Sequence, residues 1–66
     1  MRLVINGEDR VVADCADIAA LVAALGLNPR KLAIERNLEI VPRSLYATTG
    51  LCDGDRIEIV NFVGGG

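Results

Sequence analysis

The first part of the chain alternates between short apolar segments and turn residues. Residues 2–5 include a β-branched run, residues 6–9 (Asn-Gly-Glu-Asp) tolerate a positive φ, and residues 10–13 resume an extended pattern. This order predicts an N-terminal β-hairpin with strands over residues 2–5 and 10–13.

A helical pattern follows the hairpin. Its apolar positions recur at helical spacing: Ile18, Leu21, Val22 and Leu25. Asp14 or Asp17 can cap the first turn, because each carboxylate can accept a backbone N–H hydrogen bond. Gly26 suits the left-handed conformation that follows a last turn, and Pro29 lacks the N–H that a continuing helix needs. These residues predict one amphipathic helix that ends near Leu25, and its remaining alanines predict a helix lying close against a sheet.

Two more strands are predicted around a tight turn. Residues 32–36 and 39–41 have extended patterns, residues 37–38 connect them, and Pro42 stops the second strand. Residues 44–46 predict a single helical turn after it.

The last predicted strand is the longest. Residues 53–55 (Asp-Gly-Asp) are a strong turn signal, and the extended pattern of residues 56–63 follows them. Alternation points one set of strand side chains at the helix: Leu3, Ile5, Ile57 and Ile59. The opposite face of the last strand carries Arg56, Glu58, Val60 and Phe62. One helix packed on such a sheet predicts an α+β fold, in which Val60 and Phe62 are either covered by a turn of this chain or exposed as an apolar patch.

Length and charge narrow the class of protein. A chain of 66 residues holds one domain, and 52% hydrophobic with 24% charged residues is typical of a folded one. A net charge of −2 without any basic run argues against binding to nucleic acid or to a membrane surface. The longest apolar run, residues 18–25, is too short to cross a bilayer, and the N-terminus lacks the features of a signal peptide. A cytoplasmic protein is expected.

The residue types that catalysis needs are sparse. The chain has no histidine, and Cys15 and Cys52 have no metal-binding spacing, so neither a catalytic zinc site nor a Ser/His or Cys/His pair is available. Each cysteine is predicted to be a buried, unreactive thiol. Asp53 and Asp55 are interpreted as turn residues rather than as a metal or acid/base site. We therefore expect no catalytic residues and no metal.

The chain ends at Gly64, Gly65 and Gly66, directly after the longest strand candidate. A terminal glycine run is often only a frayed end or a linker. The functional alternative is that three residues without Cβ span about 10 Å and thread a channel too narrow for side chains. They would then deliver the carboxylate of Gly66 to the active site of another protein.

Four short motifs occur in the order and spacing of a known family. They are Ala-Ile-Glu-Arg-Asn at residues 33–37, Val-Pro-Arg at 41–43, Asp-Gly-Asp at 53–55 and Phe-Val-Gly-Gly-Gly at 62–66, with the aromatic Tyr46 just after the second. With the element order, they resemble the sulfur carrier proteins of thiamin biosynthesis (ThiS type) in the ubiquitin-like β-grasp group. The resemblance implies a mixed sheet of four to five strands with one main helix packed on one face. Residues 1–63 would form this domain, and residues 64–66 a flexible glycine tail.

The resemblance also implies that the protein is a cosubstrate rather than an enzyme. An adenylating enzyme (ThiF type), using ATP and magnesium, would activate the Gly66 carboxylate, and sulfur from a cysteine desulfurase would convert it to a thiocarboxylate. A thiazole synthase (ThiG type) would then accept the sulfur, with Gly64 and Gly65 entering both partners. The carrier would bind no cofactor tightly and would be a monomer when free.

Val60 and Phe62 are the expected docking patch for these partners, because an apolar surface beside the tail would anchor a transient complex. Arg43 is interpreted as a solvated turn residue rather than a docking residue. Three alternatives stay open: a carrier for molybdopterin or another sulfur-containing metabolite, a ubiquitin-like protein modifier, and an interaction module whose tail is idle.

Overall fold

The computed structural model describes residues 1–62, which form one sheet, one α-helix and two short 3-10 helices, Pro29–Lys31 and Arg43–Leu45. The elements are β1 (Arg2–Ile5), β2 (Glu8–Val11), α1 (Ile18–Ala24), β3 (Leu32–Arg36), β4 (Glu39–Val41) and β5 (Arg56–Asn61). The strand order is β2-β1-β5-β3-β4; β1 and β5 are parallel, and the other neighbours are antiparallel. This mixed sheet with one packed helix confirms the predicted α+β, ubiquitin-like β-grasp architecture.

Both hairpins close through two-residue turns. Asn6 (φ 51°) and Gly7 (φ 80°) connect β1 to β2, and Asn37 (φ 51°) and Leu38 (φ 72°) connect β3 to β4. Positive φ at both central positions matches the right-handed twist of the flanking strands. Because the first turn needs only two residues, Glu8 already pairs with Ile5. The predicted second strand, residues 10–13, was therefore wrong by two positions.

Asp17 is the residue that caps α1. Its Oδ1 accepts a hydrogen bond from the backbone N–H of Ala20 at 2.9 Å. Asp14, the other predicted cap, instead lies 3.0 Å from the N-terminal ammonium. The helix ends as predicted, with Leu25 as its C-cap and Gly26 in the left-handed region at φ 70°.

The core lies between α1 and one face of the sheet. Its most buried side chains, 0–3% exposed, come from both layers: Leu3, Ile5, Ile18, Leu21, Val22, Ile34 and Ile57. Each such side chain stabilises the fold by about 1.5–3 kcal/mol relative to an exposed one. The predicted inward direction of Leu3, Ile5 and Ile57 is confirmed, and Ile59 packs against the same core.

The two cysteines have different environments. Cys15 is 6% exposed, and its Sγ–H donates to the carbonyl of Ala13 at 3.2 Å. Cys52 is exposed, so the prediction of a buried thiol was wrong for this residue. Cys52 belongs to the loop before β5, where its backbone N–H, rather than its side chain, is held by Asp55.

Strand β5 ends at Asn61, two residues before the predicted end. Phe62 still donates its backbone N–H to the carbonyl of Lys31 at 2.8 Å, so pairing with the segment before β3 continues to that point. Within residues 1–62, no helix has the length and hydropathy that crossing a membrane requires.

Candidate functional site

The candidate site is the end of β5 and its surroundings. β5 lies in the middle of the sheet, between the parallel β1 and the antiparallel β3. Pairing on both sides fixes the direction in which the chain approaches its predicted tail. The tail residues Gly64, Gly65 and Gly66 lie outside the described residues, so their role stays a prediction.

Val60 and Phe62 lie on the face of the sheet opposite α1. Val60 is 57% exposed and Phe62 is 55% exposed. The sequence left open whether a turn of the chain covers them, and the structure shows that both are exposed. Two large apolar side chains next to each other at a strand end are typical of a contact surface rather than of a folding core.

The exposed apolar surface extends from β5 across β3 to β4. Ala33 pairs with Val60, and Ile40 on β4 is 76% exposed. A shallow depression of about 110 Å³ lies between Ala33, Ile40 and Val60. We call the four residues Ala33, Ile40, Val60 and Phe62 the outer patch.

The sequence pattern missed Ile40 as a member of the outer patch. Ile40 and Val41 are adjacent apolar residues, so alternation alone does not tell which one faces the core. The register decides: Ile40 pairs with Glu35 and faces outward, and Val41 pairs with the buried Ile34 and is itself 7% exposed. Which of the two side chains faces the core therefore depends on the strand with which β4 pairs.

Two acidic side chains border the outer patch. Glu35 on β3 pairs directly with Glu58 on β5, and both line the depression. Neither forms an ion pair with another residue of the described part of the chain. Like charges directly opposite on a sheet repel, so this pair makes the depression locally anionic.

Asp55 fixes the start of β5. Its carboxylate accepts hydrogen bonds from the Nε–H of Arg36 at 2.9 Å, the side-chain amide of Asn37 at 3.1 Å and the backbone N–H of Cys52 at 2.9 Å. Burial by itself raises the pKa of Asp55, but the three hydrogen bonds and the Arg36 charge outweigh it and hold the pKa below its ordinary value.

Asp55 is therefore more than the turn residue that the sequence indicated. The predicted turn is present, with Gly54 at φ 86°, and Asp53 accepts the backbone N–H of Arg2 at 2.8 Å. Asp55, however, is 8% exposed and joins the end of β3 and the β3–β4 turn to the loop before β5, through Arg36, Asn37 and Cys52. Within residues 1–62, no three His, Cys, Asp or Glu side chains form a group that could hold a metal ion.

Two larger proteins contain a segment similar to this chain. It is 54% identical to part of a thiazole synthase from Paramagnetospirillum magneticum and 38% identical to part of one from Magnetococcus marinus. Each match covers all of this chain and 20% of the relative. The chain thus spans about a fifth of the length of these two relatives.

Other relatives have the same size as this chain. The sulfur carrier protein ThiS of Bacillus subtilis is 43% identical over 65 residues, which cover 97% of this chain and 98% of that protein. The crystal structure of a thiamine biosynthesis protein (ThiS) from Geobacter metallireducens superposes with a TM-score of 0.84 at 30% identity, covering both chains completely. The model of the ThiS family matches residues 3–66. The chain therefore belongs to the ThiS family.

Proposed function

We propose that this protein is a sulfur carrier of thiamin biosynthesis that other enzymes use as a cosubstrate. The observation that carries the proposal is the family match over residues 3–66, which includes the glycine run. The same-sized sulfur carrier of B. subtilis supports it at 43% identity. The scarcity of catalytic residue types in the sequence agrees with chemistry that partner enzymes perform.

The first proposed step activates Gly66. A carboxylate is a poor electrophile, so an adenylating enzyme of the ThiF type would use ATP and magnesium to form the acyl adenylate and release pyrophosphate. A persulfide sulfur supplied by a cysteine desulfurase would then displace AMP, and reduction of the resulting acyl disulfide by a thiol would leave the thiocarboxylate. Both ATP and magnesium would be bound by the partner enzyme, and the ATP requirement favours the cytoplasm as the location.

The second proposed step transfers the sulfur. A thiocarboxylate is anionic and polarisable, which makes it a good nucleophile for building a thiazole ring. A thiazole synthase of the ThiG type is the acceptor that we propose. The two thiazole synthases with a segment similar to this chain support that choice.

The outer patch is the surface that we propose for docking to these partners. Val60 and Phe62 are exposed, and they directly precede the residues that would enter the partner's active site. A few apolar side chains bury a small area, which suits a complex that must form and dissociate in every cycle. Gly64 and Gly65 would pass through the partner's channel, where a side chain would not fit.

The intact mass of the protein tests the proposed function. The chain is incubated with the adenylating enzyme of the same cell, ATP, magnesium and a persulfide source. We expect a mass gain that corresponds to replacing one oxygen by sulfur. A variant without Gly66 serves as the control and should gain nothing.

No gain with an adenylating enzyme that is active on another carrier would contradict the proposal. A gain followed by loss of the sulfur only when a thiazole synthase is added would identify the acceptor. Transfer to a molybdopterin-forming enzyme instead would keep the carrier chemistry and replace the acceptor, and isopeptide conjugates on lysines of other proteins would indicate a protein modifier.

A further inference from the structure

A groove of about 430 Å³ lies on the helix side of the molecule, away from the outer patch. One wall is α1 and the segment after it, and the other wall is the segment that follows β4. The lining includes Ala19, Ala23, Leu27, Arg30, Arg43 and Tyr46. The two walls are tied together, because Ala19 donates its backbone N–H to the carbonyl of Tyr46 at 2.9 Å. The groove is thus part of the folded structure.

Tyr46 supplies a polar group that the fold leaves unused. Tyr46 is 4% exposed, and its hydroxyl makes no hydrogen bond with the described residues. Within residues 1–62, every fully buried side-chain oxygen or nitrogen has a hydrogen-bond partner. The Tyr46 hydroxyl has none, so it must reach the surface. The groove is the surface that Tyr46 lines.

The hydroxyl of Tyr46 is a hydrogen-bond donor at neutral pH. Burial raises its pKa above the ordinary value of 10.0, and the nearby Arg43 charge offsets this only in part. A protonated phenol at the edge of a groove can donate to a carboxylate oxygen.

The charge of the groove is positive. Arg30 and Arg43 line it, both are exposed, and neither forms an ion pair with another residue of the described chain. No acidic side chain lines the groove. In a protein of net charge −2, this is a local cationic site next to an apolar floor of alanine, valine and leucine.

We propose that this groove binds an acidic segment of a partner protein. A carboxylate of that segment would lie among Tyr46, Arg30 and Arg43, and a neighbouring apolar side chain would contact Ala19 and Ala23. Guanidinium groups pair with carboxylates through strong, charge-assisted hydrogen bonds, and the small alanines let a peptide backbone approach α1 closely.

The openness of the groove favours a protein segment over a small molecule. Small-molecule pockets bury most of the surface of their ligand. Here most lining side chains are themselves exposed: Ala23, Pro29, Arg30, Arg43, Ser44 and Ala47. A protein segment can bind along such a groove while a larger contact around it excludes water.

The groove and the outer patch lie on opposite sides of the sheet. A partner bound in the groove would leave Val60 and Phe62 free, so two proteins could hold the carrier at once. The proposal does not depend on sulfur transfer, and its failure would leave the proposed function intact.

The test is an NMR titration of the isotopically labelled full chain. The probe is a blocked tetrapeptide, Leu-Asp-Leu-Glu, and the control peptide is Leu-Asn-Leu-Gln, which has the same shape without charge. We expect shifts at Ala19, Ala23, Arg30, Arg43 and Tyr46 with the acidic peptide. Raising the salt concentration from about 20 to about 500 mM should weaken binding about fivefold or more, because salt screens exposed charges.

Three variants separate the contributions to binding. Arg43→Gln and Arg30→Gln should each lower the affinity for the acidic peptide about threefold to tenfold. Tyr46→Phe should also lower this affinity, because it removes the hydroxyl and keeps the packing of the ring. The exposed Arg10→Gln, on β2, is the matched control and should bind like the unchanged protein. The dispersion of the NMR spectrum reports whether each variant is folded.

Several outcomes would overturn the proposal. If the neutral peptide binds as tightly as the acidic one, the groove makes only an apolar contact and does not recognise a carboxylate. If the acidic peptide shifts only resonances of the outer patch, it does not bind in the groove. If phenyl phosphate shifts the resonances of the groove residues at a lower concentration than the acidic peptide does, the groove binds a small anion instead. Groove shifts that depend on protein concentration without any peptide would assign it to a second copy of the chain.

Discussion

The side-chain amide of Asn6 pairs with both backbone groups of Ile59. Its Oδ1 accepts the N–H of Ile59 at 2.7 Å, and its Nδ2 donates to the C=O of Ile59 at 3.2 Å. β1 ends one residue earlier, and the backbone N–H of Asn6 donates to the carbonyl of Ile57 at 2.9 Å. The carboxamide thus acts as one more strand residue and extends the pairing of β5 toward the end that leads to the tail.

Replacing Asn6 should weaken this pairing. Asn6→Gly keeps the freedom to adopt φ 51° but removes the carboxamide, so it should lower the free energy of unfolding by about 1–3 kcal/mol. Asn6→Asp keeps the acceptor for the N–H of Ile59 but places a carboxylate oxygen against the C=O of Ile59, so it should also lower stability. Urea unfolding measures both, and hydrogen exchange of the Ile59 amide should become faster in the glycine variant. Unchanged stability and exchange in Asn6→Gly would mean that the pairing contributes nothing.

Asp55 should make the free energy of unfolding depend on pH in the acidic range. Its folded pKa lies below the ordinary value of 3.8, so its ionised form contributes stability that is present above that value and is lost as the pH falls through the folded pKa. Asp55→Asn places an amide N–H₂ against groups that are themselves donors, and it should cost about 1–3 kcal/mol at pH 7.

The measurement for Asp55 is urea unfolding at pH 7 and near pH 2. The difference between the unchanged protein and Asp55→Asn should shrink at the lower pH. Asp53→Asn is the control, because the amide oxygen can still accept the N–H of Arg2. A difference that is the same at both pH values would show that the carboxylate charge is not what stabilises the fold.

Leu38→Gly should stabilise the protein. Leu38 has φ 72°, where a side chain is strained, and it is 80% exposed, so its removal forfeits little packing. The substitution turns the second hairpin into the Asn-Gly type that the first hairpin already has. We expect a gain of about 0.5–1 kcal/mol in thermal or urea unfolding, after the entropy cost of glycine is included. A loss of stability would show that the exposed side chain makes contacts that outweigh the strain.

Phe62→Ala should weaken adenylation and leave folding nearly unchanged. Phe62 is 55% exposed, so its truncation creates no cavity, whereas loss of a central apolar anchor costs a complex about tenfold or more in affinity. The comparison is kcat/KM of the adenylating enzyme for the variant and for Val11→Ala. Val11 is 76% exposed on β2, outside the outer patch. A large fall in the Tm of Phe62→Ala would instead show that Phe62 stabilises the fold. Equal kcat/KM values for the two variants would show that Phe62 does not contribute to docking.

By itself, the sequence determined the local features of this protein. The tight turn at residues 37–38 and the helix end near Leu25 each depend on a few neighbouring residues, and the sequence predicted both. The first turn was predicted over residues 6–9 but needs only Asn6 and Gly7, and the choice of Asp17 over Asp14 as the cap came from the structure. Capping and left-handed backbone conformations are local effects, so single positions predict them. Alternation along β5 likewise placed Val60 and Phe62 on one face together.

The tertiary structure alone decided the features that depend on which segments are neighbours. Ile40 faces outward because of its pairing with Glu35, and Asp55 is buried because Arg36 and Asn37, 19 and 18 positions earlier, donate to it. The groove at Tyr46 likewise forms where two distant segments meet. Register and burial are set by the free energy of the whole packed sheet, in which a slip of one residue would turn every side chain to the other face, and no single segment contains that information.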